Sequence, residues 1–408
     1  MRLGKANFSD IRTSNTALVM WHAVHSAPIS RADIAQRTGL TRATVSSLIA
    51  ELIGLNFLEE IGERSEKSVG KRALLLRVRT DKVFTLSVEF YSSMIAVAKV
   101  DLCGAIQSRL VRQVPDGISA EDIFSELFSM LDSYINELRA TDCLVYGIGI
   151  ATPSPVRNNT MYYSKHFSAL CGIDLLEKLR ARYDCRISIV NNADAAALAE
   201  DKYGNHPGTD CLAFFWVGQG IGCGLIRDGK LIVGKSGACT EFGHITIKPG
   251  STHTCFCGKR GCLASYGSDR ALGRLLLENS STWETVSVKD GVYEIDYAAV
   301  TALFTNGTEE QKRVIDSAVH EVAFYLGAGV ANLINTVVPD SIVIHGEIMQ
   351  MPHFIEYVRE SCAQNIHPLF DGLYTISPST LGKDAVLLGA SVSLLEELYT
   401  DPYLAAQT

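Results

Sequence analysis

Three cysteines fall within the eight residues CFCGKRGC, Cys255 to Cys262, while the other eight cysteines of the chain are scattered singly in mostly apolar surroundings. Thiolates at Cys255, Cys257 and Cys262 would be soft ligands at hairpin spacing, and Gly258 and Gly261 let the chain between them turn tightly. One histidine would complete a closed, four-ligand site suited to a structural Zn²⁺, and spacing alone leaves both His244 and His253 open for that place. A disulfide between two of the three would strand the third, and a Cys-x-x-Cys redox motif is absent. The scattered cysteines read as small core residues of a reducing compartment.

A second chemistry lies at the other end of the chain. Residues 1–79 hold 12 Lys and Arg against 7 Asp and Glu, whereas the whole chain has a net charge of −8. A basic head on an acidic body is the distribution of a DNA-binding module joined to a sensing or catalytic one. The candidates for base contact are Thr41, Arg42, Thr44, Ser46 and Ser47, with Arg42 equipped for a bidentate contact to guanine. Lys71 and Arg72, beside Gly70, are placed to reach a phosphate or a minor groove.

These residues need elements to hold them. Leu18, Val19, Trp21, His22 and Val24 predict a helical stripe that Pro28 ends. A helix capped by Ser30, a turn at Thr38-Gly39-Leu40 and a second helix capped by Thr41 then predict a helix-turn-helix, with Ala35, Leu40, Val45, Leu48 and Leu52 as its core. FLEEIGERSEKSVGKRALLLRVR reads as strand, polar tip and strand, the wing of a winged helix.

With 408 residues, 47% of them apolar, the chain predicts two or three domains. No apolar leader opens it and no uncharged run of spanning length interrupts it, so a cytoplasmic protein without membrane insertion is the expectation. After Thr80, strand-rich runs feed alternating helices and strands, and the series restarts at DCLAFFWVGQGIGCGLIRDGKLIV. Two related α/β lobes with a ligand cleft between them follow from that repetition.

TEFGHITIKPG followed by CFCGKRGC resembles the signature of the ROK family of repressors, uncharacterised open reading frames and sugar kinases. VNNADAAALAE, NLINTVVPDSIVIHGE and AVLLGASVSLLEELY resemble its other segments in the same order. The resemblance, over about residues 83 to 400, implies an actin-like, sugar kinase or ribonuclease H-like body, and the head matches the family's repressor branch. It divides the chain into a winged helix-turn-helix (1–79), lobe 1 (80–198 with a closing helix near 385–400) and lobe 2 (199–384) with the zinc loop and a dimerisation surface. It makes His244 the fourth metal ligand and implies that Asn191, Asn192, Glu241 and His244 hold sugar hydroxyls.

Three departures from the kinase pattern imply that no residue is catalytic. Asn192 stands where family kinases carry the aspartate base, Glu89-Phe90-Tyr91-Ser92-Ser93 replaces a glycine-rich phosphate turn, and Gln219 replaces a threonine in GQGIGCG. Ala264 also stands where a sugar-holding glutamate is usual. The resulting expectation is a repressor bound to double-stranded operator DNA as a homodimer or homotetramer and controlled by a sugar or sugar derivative. The alternatives are a sugar kinase carrying a DNA-binding head and a repressor controlled by a protein partner.

Overall fold

The computed structural model describes residues 8–63, 73–115, 117–164, 166–206, 208–234, 240–289 and 291–407. The chain divides into two compact units, 1–191 with 386–408 and 192–385. The division falls at the start of a helix that packs on the second unit's sheet, not at the expected 198/199 boundary.

The first unit opens with α1 (Phe8–Ser26), β1 (Ile29–Ser30), α2 (Arg31–Thr38), α3 (Arg42–Gly54), β2 (Leu58–Glu63) and β3 (Leu74–Val78). Ser30 caps α2 in a reciprocal box with Asp33, and the Thr41 side chain accepts from the Thr44 amide at the start of α3. The three strands form one antiparallel sheet in the order β1-β3-β2. Val45, Leu48 and Leu52 are buried and Leu40 packs against them in part. The face of α1 differs from the expected stripe: Thr16, Val19, Met20 and Ala23 are inside, while Leu18 and Trp21 are exposed. Both sets fit a helical period, so periodicity in α1 leaves its inward face undetermined.

The unit continues with β4 (Val83–Tyr91), β5 (Met94–Asp101), β6 (Ile106–Gln113), α4 (Ala120–Ala140), β7 (Leu144–Thr152), the small hairpin β8 (Val156–Arg157) and β9 (Thr160–Met161), α5 (Leu175–Arg180) and β10 (Arg186–Asn191). Its sheet runs β10-β7-β4-β5-β6, with β4, β7 and β10 parallel and β5 and β6 added antiparallel. All but the last residue of β4 are buried, the mark of a strand covered on both faces.

The second unit comprises α6 (Asn192–Tyr203), β11 (Cys211–Val217), β12 (Ile221–Arg227), β13 (Lys230–Leu231), α7 (Asp269–Leu277), β14 (Val286–Lys289), β15 (Val292–Ile295), α8 (Tyr297–Asn306), α9 (Glu309–Val337), β16 (Ser341–His345), α10 (Phe354–Asn365) and β17 (Thr375–Pro378). Its sheet, β13-β12-β11-β16-β17, repeats the plan of the first: an antiparallel meander whose first strand pairs in parallel with the next strand, which pairs in parallel with the last. This is the duplicated topology of the actin-like sugar kinase fold. Among the described residues α9 is long and apolar enough to cross a membrane, but Val319, Val322, Leu326, Val330 and Ile334 are buried in the core of this unit.

The chain ends with α11 (Ala385–Thr400) and a 3-10 turn, Pro402–Gln407. In the first unit Ser391 takes the hydroxyls of Thr85 at 2.8 Å and Ser87 at 2.5 Å, and Tyr146 donates to Glu397 at 3.1 Å. The buried serine and threonine contacts and the half-buried Tyr146 contact set α11 on β4 and β7.

Candidate functional site

His244 closes a 3-10 turn (Phe242–His244) and meets the cysteine loop with its Nδ1 3.5 Å from Cys255 Sγ; Cys257 Sγ and Cys262 Sγ are 3.7 Å apart. The four ligand atoms all lie within 4.8 Å of one another. A tetrahedral ion with bonds of about 2.3 Å to sulfur and about 2.0 Å to nitrogen has edges of about 3.8 Å between sulfurs and about 3.5 Å between sulfur and nitrogen. These two pairs have about those lengths and no pair exceeds 4.8 Å, so the donor set fits one tetrahedral metal ion. Gly258 and Gly261 take φ of 81° and 79°, and the Ile247 amide bonds to Gly261 O at 2.8 Å. His253 lies outside the cluster, with its ring against Tyr266.

The other ring nitrogen of His244, Nε2, lies 3.8 Å from Glu241 Oε2. Burial raises the Glu241 carboxyl above its ordinary range, and His244 opposes the shift. Asp194, in the first turn of α6, is buried, and its carboxyl is pushed up to about 7 by burial and then by the charge of Glu241. The packing of α6 on β12 brings this carboxyl within reach of Glu241's field. Asn192 opens α6 in this unit, and Asn191 closes β10 as the last residue of the first unit. Ala264 is buried in the turn after Cys262. An imidazole oriented from behind by a metal, next to a carboxylate, is an arrangement that can accept and donate hydrogen bonds to hydroxyls.

GQGIGCG spans the turn between β11 and β12 and the first residues of β12, but its glycines have local duties. A Cβ on Gly224 would stand 2.6 Å from both Ala193 O and Ala197 Cβ, so α6 seats on β12 only because this residue has no side chain. Gln219 is engaged twice by the backbone of Tyr293 in β15, accepting from its amide at 3.1 Å and donating to its carbonyl at 2.5 Å. Nothing in the sequence signalled that pairing, which spans two elements far apart in the chain. The Gly224→Ala variant is expected to lose about 1–3 kcal/mol of stability through overpacking, read as a lower denaturant midpoint at unchanged slope. At the end of β4 Phe90 is buried in a T-shaped contact with Phe167, and in the turn that follows Ser92 has φ 47°, so a bulky ring stands where a glycine would.

In α3, Thr41 and Thr44 are 2.9 Å apart at their hydroxyls and Thr41 also caps the helix, so both hydroxyls have local partners. Arg42 and Ser47 are exposed and Ser46 is half-buried, while Lys71 and Arg72 lie outside the described residues.

Residues 86–397 match the model of the ROK family. The xylose repressor of Bacillus spizizenii is 29% identical over 95% of this chain and 96% of its own length. The glucokinase of Thermotoga maritima is 28% identical, over 62% of this chain and 80% of its own. Among solved structures, a ROK family transcriptional regulator described as a homologue of the E. coli MLC protein superposes with a TM-score of 0.78 at 22% identity, covering 97% of this chain and 98% of that one.

Proposed function

The chain belongs to the ROK family, and from that membership we propose that it is a sugar-responsive transcriptional repressor, not a working sugar kinase. The observation that carries this reading is coverage: the likeness to a named repressor runs through 95% of the chain, head included, whereas that to a named kinase takes in 62%. The three helices and three-stranded sheet of the head are read as a winged helix-turn-helix, with α3 as the recognition helix. Residues 1–79 form that module, and the two α/β repeats behind it form the sensing body.

Zinc is the ion we assign to His244, Cys255, Cys257 and Cys262. All four positions of the tetrahedron are protein ligands, which makes the site structural and leaves none for a reacting water. Glu241, His244, Asn191 and Asn192 are assigned to sugar hydroxyls. The non-catalytic reading is supported by Asn192, an amide that cannot take a proton from a hydroxyl, and by Gln219, whose side chain is committed to Tyr293. The named relatives place xylose first among the sugars to test.

The repressor acts as a homodimer or homotetramer on a two-fold operator, because one recognition helix makes too few base contacts for specific binding. Sugar binding releases DNA only to the extent that the sugar prefers the DNA-free arrangement, a coupling of about 1–3 kcal/mol. The test is a thermal-shift panel of sugars and sugar phosphates, followed by titration of the stabilising sugar into a complex with duplex selected from a random pool. A sugar that stabilises the protein and releases the duplex is expected; ATP-dependent phosphorylation of that sugar would overturn the reading. In the same assay Arg42→Ala should reduce discrimination between selected and scrambled duplex by about 1–3 kcal/mol, and equal discrimination would remove Arg42 from base readout.

A further inference from the structure

The C-terminal turn is bonded to the head through three side chains. Tyr403 Oη donates to Glu51 Oε2 at 2.5 Å and accepts from Arg12 Nε at 3.3 Å, while Arg12 Nη2 donates to Glu51 Oε1 at 2.5 Å. Residues of α1, α3 and the last turn thus close a ring in which every pair is bonded. The turn is itself fixed: the amides of Tyr403 and Leu404 bond to Asp401 at 3.2 Å each, and Ala405 is buried in one cluster with Val19, Met20 and Leu52 of the head. Tyr399, at the end of α11, donates to the carbonyl of Leu102, which ties the approach to the turn to the sheet of the same unit.

Apolar packing fixes how deeply α3 sits on α1 but is non-directional, so it sets the rotation of α3 only weakly. Charge-assisted hydrogen bonds do have direction, and the two oxygens of Glu51 are held by two different partners. Glu51 is one turn beyond Ser47, whose hydroxyl donates to Oε1 at 3.4 Å, so the ring reaches the exposed face that carries the candidate base contacts. Arg12 also holds the Glu51 carboxyl below its ordinary range against the effect of burial, as befits a charge-assisted acceptor.

We propose that Tyr403 is a positioning residue for DNA binding: the C-terminal turn clamps the recognition helix through Glu51 and Arg12 in the orientation that duplex requires. The proposal rests on the reading of the head as DNA-binding. Tyr403→Phe keeps the aromatic ring and removes only the hydroxyl, so it suits the full-length, metal-loaded chain. Its affinity for selected duplex should fall about five- to tenfold, with binding to scrambled duplex and stabilisation by sugar unchanged, and amide exchange along α3 should quicken. Tyr403→Phe combined with Glu51→Gln should be no weaker than the worse single variant, because both break one ring. Wild-type exchange in α3 together with wild-type duplex affinity in Tyr403→Phe would overturn the clamp. A wild-type chain that binds no duplex, while α3 exchange still quickens in the variant, would sustain the clamp and overturn the DNA-binding reading instead.

Discussion

Replacing Cys257 with serine is expected to cost about 3 kcal/mol or more, which for a unit of this size is a fall of about 6–12 °C in Tm, and to abolish stabilisation by sugar. The size of the effect follows from what the metal would hold. Cys255 and Cys262 are buried, but between them lie Gly258 and Gly261 at positive φ and the exposed Phe256, Lys259 and Arg260, a segment with little apolar surface of its own. Without an ion the loop loses its anchor, and so does the His244 ring that faces Glu241. Cys257 is the exposed cysteine of the set, so its replacement tests coordination with the least disturbance of packing. The measurement is calorimetry paired with metal content per chain. One zinc per wild-type chain and less in the variant, with the Tm shift, is the expected pair of results. A metal-free wild-type protein as stable as the metal-loaded one would remove the ion from the account. Acid should act in the same direction as the substitution, since thiolates and a neutral imidazole are the ligating forms and protons compete for both.

What the sequence made legible was local. Ser30 and Thr41 announce two helix starts because a capping hydroxyl and the amide it serves lie three residues apart. The three cysteines announce a ligand set because they share eight residues. Choosing His244 over His253 took a family resemblance, since both are near in sequence and only folding sends one ring to Cys255 and the other to Tyr266. The duplicated sheet was visible as a restarting pattern of strands. The inward face of α1 was not, because Leu18 and Trp21 are as apolar as the residues that replaced them, and the choice between faces is made by partners elsewhere in the chain. Asp194 near Glu241, Gln219 on Tyr293 and the ring of Arg12, Glu51 and Tyr403 belong to the same class: polar side chains brought together across long separations leave no periodic trace.

Glu241→Gln is expected to produce a repressor that no longer answers its sugar. The carboxylate accepts hydrogen bonds only, whereas the amide offers one acceptor oxygen and an NH₂ donor, so of two sugar hydroxyls donating to the two oxygens of Glu241 one loses its acceptor and meets a donor. An affinity loss of about ten- to a hundredfold follows from one bond to a charged group removed and one polar group left unsatisfied when the sugar covers it. Binding of the selected duplex should be untouched, because α3 and Glu241 belong to different compact units and the substitution leaves the metal ligands in place. The expected phenotype is therefore a locked repressor: duplex bound at wild-type affinity, one metal per chain, and no release at sugar concentrations that free the wild type. Metal content decides between two ways of losing the response, since a carboxylate behind a ligating histidine also tunes the metal. Loss of sugar response with full metal places Glu241 at the sugar, loss of both places it behind His244 alone, and an unchanged sugar response removes Glu241 from the effector site.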